Sequence, residues 1–238
     1  MERIILIETS TALCSVALAE DGKVTAYRES SAPKAHASLT AVFVQEVLEE
    51  RGVKLADCDA VCVSKGPGSY TGLRVGVSTA KGLCFGSGKP LVAVGTLDTL
   101  VAQAAEIADT DVIPSEIEGS APYRFIIPMI DARRMEVYSA VFENGTQITE
   151  TTPVIVDENS FAEYLEQGQV LFIGDGAGKC ADVIKHPNAQ FCQCNPKASA
   201  TLAPAVAAYR AGQFEDVAYF EPFYLKEFVA TVSKKKLF

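Results

Sequence analysis

The stretch Ile4-Ile5-Leu6-Ile7-Glu8-Thr9, an apolar run closed by an acid, with the turn Asp21-Gly22 beginning thirteen residues after Glu8, decides how this chain is organised. It reads as strand (4–9), strand (13–19), a hairpin turn and strand (23–29), because Asp-Gly between two alternating apolar segments is a strong hairpin signal. Outward from there come helix (36–51), strand (59–64), helix (71–86), strand (90–95) and helix (96–107), with Gly52 suited to the C′ position of the first helix. The order then returns. After an acidic, proline-containing linker (about 108–122) the chain reads strand (124–131), strand (135–142), a turn at Asn144-Gly145, strand (146–151), helix (158–167), strand (170–174), helix (177–185), a short strand near 190 and helix (199–211). Asp131 ends the first strand of this second series, and its hairpin turn again begins thirteen residues later. Equal spacing of both markers argues for duplication, and two α/β lobes facing across a cleft follow. The expected division is an N-terminal lobe (1–107), a C-terminal lobe (108–215) and a tail (216–238) free to pack back on the lobes.

Among the 238 residues, 48% are hydrophobic and 21% charged, enough apolar residues for a substantial core. The net charge of −9 denies the chain the broad basic surface that holds a phosphate backbone, so autonomous nucleic-acid binding is not expected. The basic run Lys234-Lys235-Lys236 reads as a solvated tail, or as a contact to RNA presented by a partner. No apolar window approaches the roughly 18 residues of a membrane span, and Met1-Glu2-Arg3 runs straight into the first strand, so a cytoplasmic location is expected. The seven cysteines (14, 58, 62, 84, 180, 192, 194) form no C-x-x-C pair and read as buried or incidental thiols in a reduced compartment. Cys192-Gln193-Cys194 offers half a metal site, but zinc needs two further ligands and the only histidines are His36 and His186.

The segment Ser64-Lys65-Gly66-Pro67-Gly68-Ser69-Tyr70-Thr71-Gly72-Leu73-Arg74 places a glycine-rich turn between an apolar strand and a helix. Backbone is being asked to approach something closely there. A Walker A loop is excluded because no G-x-x-x-x-G-K-[ST] spacing exists. A Rossmann loop does not fit, since the turn follows the fourth strand of its lobe and no acid closes a strand about 20 residues on. A structural reading remains, in which the turn lines the cleft and sets the start of the helix; Arg74 is either an anchor for a carboxylate or a surface residue. Gly72, Gly76 and Ala80 recur every four residues, and glycine within a helix costs about 1 kcal/mol relative to alanine, so close approach of another helix is expected. In helix 36–51, Leu39, Phe43 and Val47 form a stripe that Val42, Val44 and Leu48 widen beyond one core-facing side. Gly174, Gly176 and Gly178 follow a strand, as either a nucleotide contact or an ordinary strand-to-helix turn.

The β-β-β-α-β-α-β-α order, used twice, resembles the ribonuclease-H-like lobes of the actin, sugar-kinase and Hsp70 superfamily, whose members bind ATP through two glycine-containing hairpins. Here those hairpins read Glu8-Thr9-Ser10-Thr11-Ala12 and Asp131-Ala132-Arg133-Arg134, neither with a glycine, so no cofactor is expected. More specifically, Ile5-Leu6-Ile7-Glu8-Thr9-Ser10, the block Lys65 to Gly76 and Ala80-Lys81-Gly82-Leu83 resemble the bacterial TsaB (YeaZ) family, most strongly over residues 4–105. The resemblance implies a subunit of the machinery that attaches a threonylcarbamoyl group to N6 of adenosine 37 in tRNA. The catalytic paralogue, TsaD, has two metal-binding histidines where this chain has Thr96 and Leu100. The resemblance therefore implies a non-catalytic chain with no catalytic residue and no metal, which binds and activates TsaD as a heterodimer, works beside a TsaE-type ATPase and pairs with itself when alone. It implies an interface near Leu39, Phe43, Leu73, Gly76, Val77 and Ala80, and a family motif of Glu8, Thr9, Ser10, Gly66, Pro67, Gly68, Ser69, Tyr70, Thr71, Gly72 and Arg74. Two rivals are an ATP-binding phosphotransferase or ATPase, which fails at both hairpins, and a peptidase, for which neither histidine is paired with a nucleophile by any local motif.

Overall fold

The computed structural model describes residues 1–108 and 123–226; the expected linker and the Lys234–Lys236 run lie outside the described residues, apart from Ala108. The first lobe is built from β1 (Arg3–Glu8), β2 (Cys14–Glu20), β3 (Lys23–Ser30), α1 (Ala35–Arg51), β4 (Ala60–Gly66), α2 (Tyr70–Ser87), β5 (Leu91–Gly95) and α3 (Thr96–Ala108). Its sheet runs β3-β2-β1-β4-β5, antiparallel through the hairpins and parallel at β1–β4 and β4–β5. The strand β1 is apolar on both faces because both are covered. Ile5 and Ile7 pack under α1 and α2, while Ile4 and Leu6 join the opposite layer.

The second lobe comprises β6 (Phe125–Asp131), β7 (Glu136–Ser139), β8 (Phe142–Glu143), β9 (Thr146–Gln147), β10 (Thr152–Ile155), α4 (Ala162–Leu165), β11 (Val170–Gly174), α5 (Ala177–Cys180), β12 (Ala189–Gln193) and α6 (Leu202–Arg210). Its main path, β10-β7-β6-β11-β12, repeats the first sheet's order. Both hairpin turns take the same left-handed pair of conformations, Asp21 and Gly22 at φ 48° and 75°, Asn144 and Gly145 at 50° and 76°.

The second lobe departs from expectation in detail. Strand 135–142 divides into β7 and β8, and 146–151 gives way to β9 and β10, because Ile148 N bonds Val141 O and Val141 N bonds Thr149 Oγ1, which interrupts the ladder. Pro153 is tolerated in β10 because that strand is an edge. The helices expected over 158–167 and 177–185 shorten to four residues each. Asp157 holds Asn159 N and Ser160 Oγ in a local turn before the first. Past the second, residues 181–183 continue as turns, with Val183 N and Ile184 N both bonding Cys180 O, and Pro187 bars helix from His186 onward.

Helix 199–211, expected in the C-terminal lobe, is α6 and packs on the first sheet. Leu202, Ala205 and Val206 meet Leu6, Val92 and Val94 there. In exchange, Leu97, Leu100 and Ala104 of α3 cover Ile130, Leu171 and Ile173 of the second sheet. Each lobe thus supplies a helix to the other's core. Among the described residues no helix is long and apolar enough to cross a membrane.

Candidate functional site at the interlobe cleft

The Gly-Pro-Gly turn follows β4 and leads into α2, whose first turn is capped by Ser69 Oγ accepting from Gly72 N at 3.3 Å. Against it presses the loop after β1. Ser69 N donates to Ser10 O (2.6 Å) and Thr9 Oγ1 donates to Gly72 O (2.9 Å). A Cβ at Gly68 would collide with Ser10 O, one at Gly72 with Thr9 O, and one at Gly76 with Thr9 Oγ1. The stripe expected to admit a partner's helix is therefore filled by this chain's own Thr9–Ser10 loop. Gly82 and Gly86, on the open side of α2, have nothing within 4 Å of such an atom.

Glu8, at the end of β1, is completely buried. Its carboxyl accepts from Ser10 N (2.7 Å) and Ser64 Oγ (2.5 Å), and Ser64 Oγ also lies 3.1 Å from Thr96 Oγ1. Burial pushes its pKa up, and the hydrogen bonds from Ser10 and Ser64 only partly oppose this. Thr96 is thus consumed by a buried network, and Leu100 by the core under α3.

The cleft between the lobes, about 670 Å³, is lined by the Ser10–Thr11 loop, the start of α2, Asp131–Arg133 and the C-terminal segment Phe223–Lys226. Ser10 Oγ and Thr11 Oγ1 are buried without a hydrogen-bond partner among the described residues. Asp131, half-exposed, accepts from Arg133 N and from Lys179 Nζ, each at 2.6 Å. Its own N–H donates to Asp175 Oδ1 (2.9 Å), whose pKa burial raises to about 6. Arg133 and Arg134 adopt φ of 73° and 50°. Arginines therefore make the left-handed bend for which a phosphate hairpin uses glycine.

The glycine loop after β11 offers no cradle either. A Cβ at Gly174 would strike Met129 O, one at Gly176 would lie 2.9 Å from Val137 Cγ1, and one at Gly178 would lie 2.7 Å from Gln193 Oε1. The N–H groups of Gly176 and Gly178 already bond Met129 O and Gln193 Oε1. Of the two readings open for this loop, the strand-to-helix turn is the one its geometry supports. The residues present do not fit ATP in the superfamily's manner.

The C-terminal segment straps the cleft. Phe223 N donates to Lys65 O (2.7 Å), its carbonyl sits where a Gly66 side chain would be, and the Tyr224 ring lies 4.8 Å from that of Tyr70. Lys226 Nζ pairs with Glu136 of the second lobe. Arg74 is exposed and lies over the Tyr70 ring, donating to its hydroxyl at 3.1 Å. The histidines are engaged elsewhere: His36 Nε2 with Thr11 O (2.8 Å), His186 Nδ1 with Asn188 N (3.1 Å). Among the described residues no group of three or more His, Cys, Asp and Glu side chains is placed to hold a metal.

Of the expected interface residues, Phe43, Leu73, Gly76, Val77 and Ala80 are buried within this chain, and Leu39 packs half-buried against the same core. The reachable side of these helices is different. It comprises Ala41, Val42 and Gln45 on α1, and Arg74, Ser78, Gly82 and Phe85 on α2, with Phe85 87% exposed. Sequence reading missed Phe85 and Asp175, and it expected a tail over 216–238 that could pack back on the lobes without naming the contacts the strap makes. The signal for Phe85 was its place next to Cys84 in the stripe 73, 77, 80, 84, which turns it away from the core.

Comparison with known proteins gives a consistent result. The family model for tRNA N6-adenosine threonylcarbamoyltransferase (TsaD) matches residues 29–231. The chain is similar to the tRNA threonylcarbamoyladenosine biosynthesis protein TsaB of Escherichia coli, 33% identical over 236 residues and 96% of each chain. It is similar over a shorter span to the tRNA N6-adenosine threonylcarbamoyltransferase of Agrobacterium fabrum, 43% identical over 67 residues, 28% of this chain and 18% of that one. Among solved structures, YeaZ from Pseudomonas aeruginosa superposes with a TM-score of 0.78 at 26% identity, covering 94% of this chain and 100% of that chain.

Proposed function

We propose, from the premise that this chain belongs to the TsaB family of tRNA threonylcarbamoyladenosine biosynthesis proteins, that it works in that pathway as the non-catalytic partner that holds and activates TsaD. The observation that carries this reading is the outer face of α1 and α2. It leaves Phe85 almost fully exposed and Val42 42% exposed, with Ala41, Ser78 and Gly82 also on the open sides of the two helices, apolar surface that a covering partner would remove from water. The short, strong match to transferases supports pseudo-symmetric pairing, in which equivalent helices of two paralogues face each other, as they do in a two-fold dimer of one chain. Pairing with itself uses the same face when TsaD is absent. The non-catalytic reading is supported by Thr96 and Leu100, packed into the core at the positions of the metal-binding histidines.

tRNA then reaches this chain only through TsaD, consistent with the net charge of −9, and a TsaE-type ATPase joins as a third component in the cytoplasm. Phe85→Glu is expected to weaken the complex with TsaD by about tenfold or more, read by titration calorimetry, because a charge replaces a central apolar anchor. The decisive experiment is reconstitution of tRNA modification from TsaD, the ATPase and the threonylcarbamoyl-adenylate supplier, with and without this chain. Equal modification without it would overturn the proposal.

A further inference from the structure

Arg3, Arg28, Arg51, Arg124 and Arg210 each hold a carboxylate of this chain. The remaining arginines, Arg74, Arg133 and Arg134, have no acid within ion-pair distance among the described residues. A shortage of nearby acid is not the reason. Asp131 stands two residues before Arg133 and Glu136 two residues after Arg134, and both are taken by lysines from other elements, Lys179 of α5 and Lys226 of the C-terminal strap. The backbone of this bend is also held at a cost. Arg133 and Arg134 form a left-handed pair (φ 73° and 50°), as do Asp21-Gly22 and Asn144-Gly145, but of the three pairs only this one has no glycine, asparagine or aspartate. Glycine would adopt that backbone more cheaply, so what these positions supply is the side chain.

Arg133 lines the interlobe cleft of about 670 Å³ together with Tyr138, and Lys226 Nζ lies 6.0 Å from the Tyr138 ring. Across from them, α2 starts at the cleft with Ser69, Tyr70 and Thr71 on its wall, and Arg74 stands one turn in, 5.4 Å from the centroid of the Tyr70 ring. On the same wall Ser10 Oγ and Thr11 Oγ1 are buried with no partner among the described residues. The cleft is therefore bordered by a guanidinium from each lobe and by the positive end of an 18-residue helix.

We propose that the cleft binds a small metabolite carrying more than one anionic group, carboxylate or phosphate, held between Arg133 of the second lobe and the start of α2 with Arg74 in the first. A planar guanidinium meets either kind of group with two parallel N–H donors. More than one anionic group is needed because the donors come from both lobes. The cleft has the volume of a small-molecule site. The acids that share it do not oppose the ligand strongly: Asp131 is paired with Lys179, and Asp175 Oδ1 is turned to the Asp131 N–H (2.9 Å). The arrangement also differs from a glycine hairpin, in which a phosphate rests on backbone N–H groups. A guanidinium holds its anion a side chain's length away, where the Cβ atoms of Ala132 and Arg133 are no obstacle.

The full chain is titrated by calorimetry at low salt with pyrophosphate and, separately, with citrate, which tells a phosphate ligand from a carboxylate one. At least one of the two should saturate a single site. Arg133→Gly suits φ 73° better than arginine does, so its urea midpoint should stay at or above that of wild type while affinity for the probe falls about tenfold or more. Arg74→Gln, on the exposed side of α2, should weaken the same probe by a similar factor, whereas Arg210→Gln, which removes an arginine already paired with Glu2, should leave it unchanged. No saturation by either probe at millimolar concentration would overturn the assignment, as would affinity retained in both Arg133→Gly and Arg74→Gln, or lost equally in Arg210→Gln. If neither probe binds but tRNA does, and depends on Arg133, the arginines serve an RNA backbone and the proposal fails.

Discussion

Glu8 and Asp131 end corresponding strands in two copies of one architecture, yet one is sealed in the interior and the other faces the cleft. The difference lies in the helix beyond each. In the first lobe that helix is α2, 18 residues long, and Gly68, Gly72 and Gly76 let the Thr9–Ser10 loop press against it and close over the carboxyl. In the second it is α5, four residues long, which presents Lys179 to the acid instead. Duplicated strand order fixes where an acid sits along a sheet. The bulk and length of the neighbouring helix decide whether that acid meets water.

The largest effect should come from removing the clearance on the first side. Gly72→Ala drives a methyl group into Thr9 O and is expected to cost about 3 kcal/mol. Gly82→Ala, in the same helix but against open space, should gain up to about 1 kcal/mol. Urea unfolding of the two variants measures both, and a Gly72→Ala midpoint no lower than wild type would break the comparison at its base.

The buried acid itself gives the next test. Because Glu8 has a raised pKa in the folded chain, its contribution to stability is fully present below the ordinary carboxylate pKa and is lost as pH rises through the raised native value. Unfolding free energies of wild type and Glu8→Gln, followed upward from acid pH, should therefore diverge, with the wild type losing the extra stability. Parallel profiles would show that Glu8 does not carry the burial described for it.

The smallest effect belongs to the second lobe. Asp131→Asn removes a pair with Lys179 that water screens, so it should cost less than about 1 kcal/mol, and less still in high salt. A cost equal to that of the Gly72 substitution would mean the two acids are not differently placed after all.

The first lobe was legible in the sequence almost strand by strand. Its turns carry Asp-Gly and Gly52, and its helices run long enough for periodicity to show. The second lobe was legible in order but not in extent, because a bond from Val141 N to Thr149 Oγ1 outweighs strand periodicity and the helical pattern over 177–185 continues beyond Cys180 only as turns. The Gly72–Gly76 stripe was visible and its cause was not: what it accommodates is Thr9, 63 residues before Gly72.

Sequence alone determined the duplicated strand order, the turn chemistry and the Gly-Pro-Gly block that marks the family, since these signals act between residues close along the chain. Only the tertiary structure decided that α3 and α6 are exchanged between the lobes, that the buried stripe of α2 belongs to the core while Phe85 stands outside it, and that one acid is sealed and the other is not. Those outcomes depend on which distant segments compete to cover the same apolar surface, and local periodicity carries no record of the winner.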